Sequence, residues 1–284
     1  LQLSLISWWK TKVKYMARKK NDAAKKAALD FHEFPTPGKL EIRATKPLAN
    51  QSDLAKAYSP GVAEACLEIS REAKAAVRYT SKANLVAVVS NGSAVLGLGD
   101  IGPLASKPVM EGKAVLFKKF AGIDCFDIEV KEDNPIRLAE IVSSLEPTFG
   151  AINLEDIKAP DCFIVEEICR EKMNIPVFHD DQHGTAIVVG AALINALKLA
   201  KKEISEIKVV TAGGGAAGIA CLKMLISLGC KRENIWLCDR SGLVTKDRKE
   251  TNRHKAFFAQ DSDLKSLEEV IPGADFFLGL SAPD

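Results

Sequence analysis

Four carboxylates follow two short apolar runs, each of which is typical of a β-strand. Glu155 and Asp156 come after one run, and Asp180 and Asp181 come after the next. Because the carboxyl ends of parallel strands share the sheet edge where ligands bind, we expect these side chains to converge there. Carboxylates gathered at one edge repel one another unless a divalent cation neutralises them, and oxygen ligands favour Mg²⁺ or Mn²⁺ over zinc. Acids that cap helices are the alternative.

Further side chains of chemical interest lie close to these in sequence. Lys113 lies in an apolar stretch, where burial and a nearby metal ion would lower the pKa of its amine toward that of a base; an exposed lysine is the alternative. His179 and His183 have the i, i+4 spacing of zinc proteases, but HDDQH spans a strand end and lacks the pattern HExxH, which favours polar packing. Tyr58 precedes Ser-Pro-Gly and, on local sequence alone, is a turn residue.

A glycine-rich loop indicates a second site, for a dinucleotide. It fits G-x-G-x-x-G between a predicted strand and a predicted helix, and consists of Gly213, Gly214, Gly215, Ala216, Ala217 and Gly218. Such glycines let backbone N–H groups approach a pyrophosphate at the helix N-terminus. Asp239, at the end of the next strand, suits the ribose hydroxyl of NAD, whereas the adjacent Arg240 could meet the 2′-phosphate of NADP.

The composition is that of a globular protein. The 284 residues are 47% hydrophobic and 27% charged, which excludes disordered, collagen-like and coiled-coil classes. Seven scattered cysteines without a CxxC pair favour a reducing, cytoplasmic compartment. No stretch reaches the roughly 18 uninterrupted apolar residues of a membrane helix. Residues 1–26 carry a net charge of +7 in a chain of net charge +2, so a nucleic-acid role would depend on this leader alone, and we expect none.

Strand-like runs alternate with amphipathic stretches from Leu85 onward, which predicts βαβ units. The predicted strands are LVAVVS, IDCFDIE, FGAINLE, IPVFHD, IKVVTA and NIWLCD. One predicted helix covers residues 108–120, with Pro108 in its first turn. The fold class is therefore α/β, with a mostly parallel sheet followed by an incomplete Rossmann-type domain. We place a basic leader at 1–26, a first domain at 27–200 and a dinucleotide domain at 201–284.

Several longer motifs resemble the malic enzymes of the bacterial short-core type, which also form the core of hybrids with a phosphotransacetylase-like extension. The resemblance covers about residues 28–284. The motifs that carry it are DFHEFPTPGKLEI, KPLANQSDLAKAYSPGVAEAC, NGSAVLGLGDIGPLASKPVMEGKAVLFKKFAGIDCFDIE, EPTFGAINLEDIKAPDCF, IPVFHDDQHGTA and the GGGAAG loop. It implies a substrate- and metal-binding domain at 27–200, oxidative decarboxylation of L-malate to pyruvate and CO₂, and NADP as the favoured cofactor, with NAD open.

The resemblance also implies roles for individual residues. Lys113 matches the general base that takes the proton of the C2 hydroxyl, and Tyr58 matches the general acid that protonates the enol carbon. Asp180 matches a residue that tunes the lysine. The metal ligands Glu155, Asp156 and Asp181 would hold Mg²⁺ or Mn²⁺, and Gly214 to Ala217 would bind the cofactor phosphates. A homodimer or higher homo-oligomer is implied as well.

Two departures keep alternatives open. The chain ends at GLSAPD, within the expected dinucleotide domain, so we expect a truncated protein. An inactive fragment that binds metal or pairs with a full-length partner is one alternative. Ala94 stands where longer malic enzymes have a substrate-binding arginine, as in the short bacterial type. A malolactic or oxaloacetate-decarboxylating enzyme is the other alternative, and accumulation of reduced cofactor from malate separates it from malic enzyme.

Overall fold

The computed structural model describes residues 22–249 and 251–281, so most of the predicted basic leader lies outside the described residues. Two four-stranded sheets follow each other along the chain, each with helices between its strands. The strands are β1 (Leu85–Ser90), β2 (Asp124–Glu129), β3 (Ala151–Leu154), β4 (Val177–His179), β5 (Val209–Ala212), β6 (Ile235–Asp239), β7 (Gly242–Leu243) and β8 (Phe276–Gly279).

The helices are α1 (22–33), α2 (Gln51–Ala57), α3 (Val62–Arg71), α4 (Ala76–Tyr79), α5 (Gly102–Leu116), α6 (Pro135–Ser144), α7 (Asp161–Lys172), α8 (Asp180–Ala200), α9 (Ala216–Ser227), α10 (Arg253–Ala256) and α11 (Leu267–Val270). One π-helical turn, Phe117–Ala121, continues α5. The α/β class and the alternation of strands and helices that the sequence predicts are confirmed.

The first sheet is entirely parallel, in the order β2-β1-β3-β4. Alternate residues of β1 serve its two faces: Val88 packs against Met110 of α5, whereas Ala87 and Val89 join the core with α6 and α7. The chain leaves β1 toward β2 and later returns to β3 on the other side. The carboxyl ends of β1 and β3 therefore form a topological switch point, where open α/β sheets bind ligands.

The second sheet has the order β7-β6-β5-β8, with β5 parallel to both neighbours and β7 antiparallel to β6. Its own switch point lies between β5 and β8, directly at the glycine-rich loop. One apolar core joins the two sheets, since Leu154 of the first and Val209 of the second belong to the same cluster of buried side chains. The same apolar core therefore supports the ligand-binding edges of both sheets.

Helix α8 links the two halves and packs along α9. A Cβ at Gly190 would come within 3.2 Å of Leu228 and 3.3 Å of Met224, so the glycine lets the helices approach closely. By length and composition α8 is one helix among the described residues that could cross a membrane. It begins, however, with Asp180 and Asp181, and its buried face is covered by the neighbouring helix.

Two of the boundaries that differ from the predictions bear on the site. The helix predicted to begin at Pro108 begins at Gly102, because Pro103 already occupies its first turn, where a missing N–H is harmless; Pro108 lies inside the helix. The strand predicted to run through Asp180 ends at His179, and both aspartates form the first turn of α8. Negative side chains are stabilised there by the helix dipole, so capping and convergence at the sheet edge occur together.

Residues 22–84 form helices and loops, and no strand is described among them. Neither α2 nor α3 buries a side chain. Large apolar side chains of this segment lie exposed: Leu29, Phe31, Phe34, Leu40, Ile42, Leu48, Leu54, Tyr58, Val62, Leu67, Val77 and Tyr79. So many exposed large apolar side chains in one segment are typical of an interaction surface.

Candidate active site

Three of the predicted metal ligands lie together at the edge of the first sheet. Glu155, Asp156 and Asp181 each place a carboxylate oxygen within 4.8 Å of the others. The backbone N–H of Asp156 donates to Oδ2 of Asp181 at 2.9 Å, which ties β3 to the start of α8. Asp156 has φ of 53°, a conformation that non-glycine residues rarely adopt, and Ala94 N–H donates to its carbonyl oxygen at 2.9 Å. The loop after β1 therefore holds this turn in place.

Burial disfavours the simultaneous ionisation of Glu155 and Asp156. It raises the pKa of Glu155 to about 7 and that of Asp156 to about 6, and the neighbouring charge of Asp181 adds to both shifts. Buried carboxylates are costly to ionise without a partner. A hard divalent cation fits this group, because it would balance their negative charge. The residues present therefore fit Mg²⁺ or Mn²⁺, as the sequence predicts.

Lys113 lies against the same group. Its Nζ is 3.0 Å from Oε1 of Glu155 and 2.7 Å from Oδ2 of Asp180. Burial would lower the pKa of Lys113, but the hydrogen bonds and charges of the two carboxylates outweigh it and raise the pKa. The lowered pKa of Lys113 that the sequence predicts therefore requires a cation that competes with the lysine for Glu155. A Cβ at Gly184 would lie 2.4 Å from Oδ1 of Asp180, so this glycine makes room for the carboxylate that holds the lysine.

Two further polar residues, both buried, support the site. The sequence pattern did not indicate them. Asn153, only 2% exposed within β3, donates from Nδ2 to Oε2 of Glu155 at 2.9 Å. The hydroxyl of Ser93 accepts from Lys158 N–H at 3.0 Å and ties the loop after β1 to the loop after β3. An asparagine inside an apolar strand was the available signal, because such a residue needs a polar partner where it is buried.

The two histidines occupy different environments. Nε2 of His183 lies 2.6 Å from Oε1 of Glu166, and its ring packs on Phe178, which agrees with the polar packing predicted at this junction. His179 is fully buried at the end of β4, and neither ring nitrogen has a hydrogen-bond partner among the described residues. Burial lowers the pKa of His179, so its ring is neutral.

Tyr58, the predicted general acid, lies on the surface of the described chain. It follows α2, is 72% exposed, and its hydroxyl has no hydrogen-bond partner among residues 22–249 and 251–281. It lies in the segment whose apolar side chains are uncovered. The role that the resemblance implies for this tyrosine therefore stays a prediction.

The glycine-rich loop follows β5 and leads into α9. Gly213 has φ of +125°, and a Cβ there would lie 2.6 Å from the carbonyl oxygen of Leu280. A Cβ at Gly218 would lie 2.0 Å from the carbonyl oxygen of Gly213, whereas one at Gly215 would meet nothing within 4 Å. Two glycines are thus required by packing, while the backbone around Gly215, at the N-terminus of α9, is open to a ligand.

Asp239 ends β6 beside this loop and is held by two cations. Its Oδ1 accepts from Arg248 at 2.8 Å and its Oδ2 from Lys255 at 2.6 Å. Burial alone would raise its pKa, but hydrogen bonds from Lys255, the Ser241 backbone and Arg248 lower it. Arg240, the cation that the sequence suggested, is exposed. Arg248 and Lys255 lie too far along the chain for spacing to have indicated them.

Two family models match the chain: "Malic enzyme, N-terminal domain" over residues 37–140 and "Malic enzyme, NAD binding domain" over residues 182–282. The crystal structure of the NAD-dependent malic enzyme of Thermotoga maritima is 46% identical, with a TM-score of 0.85, over 90% of this chain and 68% of that one. The chain belongs to the malic enzyme family. The resemblance seen in the sequence is thereby confirmed.

Curated malic enzymes are also similar to this chain, and they differ from one another in their cofactor. The NADP-dependent malic enzyme of Haemophilus influenzae is 61% identical over 260 residues, 91% of this chain and 34% of that protein. The NAD-dependent malic enzyme of Rhizobium meliloti is 64% identical over 256 residues, 90% of this chain and 33% of that protein. The chain thus spans about a third of the length of these malic enzymes. A nicotinamide cofactor is common to them, and the choice between NAD and NADP is not.

Proposed function

We propose that this malic enzyme chain oxidises L-malate at C2 and releases the C4 carboxyl group as CO₂, giving pyruvate and reduced cofactor. The observation that carries the proposal is the contact of Lys113 with Glu155 and Asp180 at the edge of a carboxylate group suited to a divalent cation. An amine next to a cation site is the arrangement needed to deprotonate a hydroxyl bound there.

Glu155, Asp156 and Asp181 would hold the cation, which when bound supplies Lewis acidity that lowers the pKa of a hydroxyl and polarises a carbonyl. Lys113 accepts the C2 hydroxyl proton at Nζ once it is neutral, and Asp180 keeps Nζ within reach. Tyr58 returns a proton from its hydroxyl to the enol carbon. Loss of the hydroxyl proton lets C2 give its hydride to the nicotinamide.

NADP is the cofactor we propose. A bare Asp239 would repel a 2′-phosphate, but Arg248 and Lys255 supply two positive charges to this one carboxylate. Both side chains are donors of the kind that bind phosphate strongly, so the pair could turn from Asp239 to the phosphate. The ratio of kcat/KM for NADP⁺ to that for NAD⁺ tests this proposal, and a ratio below one would reject it.

We also propose a homo-oligomer, formed by the exposed apolar side chains of residues 22–84. Leu67 lies on α3, which buries none of its side chains. Light scattering on the purified chain would give its molar mass, and Leu67→Glu is expected to shift a dimer toward monomer, with Glu68→Gln as the charge control. A monomeric parent chain would reject the proposal.

The seven free cysteines support a cytoplasmic location for the protein.

The function is best tested by its decarboxylation half, which needs the carboxylate site but no hydride transfer. CO₂ release from oxaloacetate by the 284-residue chain is expected to require Mn²⁺ and to be lost in Asp181→Asn. Lys113→Ala should impair this reaction less than malate oxidation, because no hydroxyl proton is removed. Release of CO₂ from malate without reduced cofactor would indicate malolactic chemistry. A folded chain without Mn²⁺-dependent release would reject the proposal.

A further inference from the structure

The buried ring of His179 lies directly beside the carboxylate of Asp181. Nδ1 of His179 is 3.8 Å from Oδ2 of Asp181, too long for a hydrogen bond. The histidine is fully buried, and neither nitrogen is hydrogen-bonded within residues 22–249 and 251–281. A buried polar group without a partner destabilises the folded state. Such a residue in the interior therefore calls for an explanation.

The neutral imidazole carries one N–H, on either Nδ1 or Nε2. With the proton on Nε2, the donor has no acceptor among the described side chains, and an unsatisfied donor remains buried. With the proton on Nδ1, the donor has an acceptor nearby, Oδ2 of Asp181 at 3.8 Å, which a closer approach would turn into a hydrogen bond. The Nδ1–H tautomer is therefore the more stable one beside this aspartate.

The two oxygens of Asp181 also have different surroundings. Oδ2 already accepts from the backbone N–H of Asp156 at 2.9 Å, and the same oxygen is the one nearest to His179. Two donors on Oδ2 would fix the plane of the carboxylate and leave Oδ1 for a cation. Glu155 has a comparable arrangement, because Asn153 donates to its Oε2 while Oε1 faces Lys113.

We propose that His179 is a positioning residue, whose Nδ1–H holds Oδ2 of Asp181 and so presents Oδ1 to the divalent cation. The inference rests on the proposed function, in which Asp181 is a metal ligand. Hydrogen-bond partners of ligating side chains typically account for 10- to 100-fold in metal affinity. His179 is expected to contribute within that range without touching the metal or the substrate.

The test is Mn²⁺ affinity of the full chain, measured by calorimetry or by the electron paramagnetic resonance of free Mn²⁺. His179→Leu is expected to weaken binding about 10- to 100-fold. His179→Asn places an amide N–H₂ near the position of Nδ1 and should recover most of the affinity, whereas His179→Gln extends its amide toward Nε2 and should not. His183→Gln, which alters the neighbouring pair with Glu166, is the control and should bind Mn²⁺ as the parent does.

The outcomes separate this inference from the proposed function. If the parent chain binds Mn²⁺ and His179→Leu, folded by circular dichroism, binds it equally well, the positioning role is wrong and the metal site stands. If His179→Leu does not fold, the comparison of His179→Asn with His179→Gln decides, and equal affinities would overturn the inference. If the folded parent chain binds no Mn²⁺, the metal site of the proposed function fails, and this inference fails with it.

Discussion

The carboxyl edges of the two sheets carry excess charge of opposite sign. At the first edge, four carboxylates lie near one lysine, which contacts Glu155 and Asp180, and the pKa values of Glu155 and Asp156 are raised to about 7 and about 6. At the second edge, Asp239 alone meets Arg248 and Lys255, and its pKa is lowered. The same α/β architecture therefore leaves one edge in need of a cation and gives the other an excess of positive charge. This contrast suits a metal at the first site and a phosphorylated cofactor at the second.

The largest expected effect is at the first edge. Asp156→Asn removes a ligand rather than a supporting donor, so Mn²⁺ affinity should fall by more than about 100-fold. Asp133→Asn, an exposed carboxylate after β2, is the matched control and should leave the affinity unchanged. Binding of Mn²⁺ by Asp156→Asn as tight as by the parent would show that this acid is not a metal ligand.

The next effect belongs to the second edge. Arg248→Ala and Lys255→Ala each remove a charged donor, which is worth roughly 1.5–3 kcal/mol, so NADP⁺ affinity should fall about 10- to 100-fold in each variant. NAD⁺ affinity should change much less, because it lacks the 2′-phosphate. Fluorescence titration of both reduced cofactors measures this, with Arg240→Ala as the control. Equal losses for both cofactors would mean that the pair only supports Asp239.

A smaller effect separates packing from binding within the glycine-rich loop. Gly218→Ala forces a Cβ against the Gly213 carbonyl and should cost about 1–3 kcal/mol in the free energy of unfolding. Gly215→Ala meets nothing within 4 Å and should leave stability nearly unchanged while weakening cofactor binding. Urea denaturation compares the two variants, and equal stabilities would contradict the packing role of Gly218.

Much of this contrast could be predicted from the sequence. Alternating strands and helices gave the α/β class, and the position of acids after β3 and β4 predicted their convergence. Arg248 and Lys255 could not be found in this way, because the fold brings them to Asp239 from a loop and from α10. The raised pKa of Lys113 was also missed, since sequence spacing does not show that both Glu155 and Asp180 lie within hydrogen-bonding distance. The start of α5 was misplaced because Pro108 was taken for the first-turn proline instead of Pro103.

The smallest expected effect is a pH dependence of stability. Glu155 and Asp156 have raised pKa values in the folded chain, so their contribution to stability is present below the ordinary values of 4.5 and 3.8. It is lost progressively as the pH rises from these values to about 6 to 7, because over this interval the unfolded chain is ionised while the folded chain keeps its protons. The melting temperature should therefore fall by a few degrees over that range. Added Mn²⁺ should restore it more at pH 8 than at pH 5; a Mn²⁺ effect independent of pH would argue against these groups.

The most direct test of the contrast is the number of protons released when Mn²⁺ binds, obtained by calorimetry in buffers of different ionisation enthalpy. At pH 6 Glu155 is mostly protonated and Asp156 about half so, and binding should release about one proton or more. At pH 8 the release from these two carboxyl groups should fall toward zero. Mn²⁺ binding at pH 6 without proton release, or no binding by the folded chain, would contradict the assignment of the first edge as a cation site.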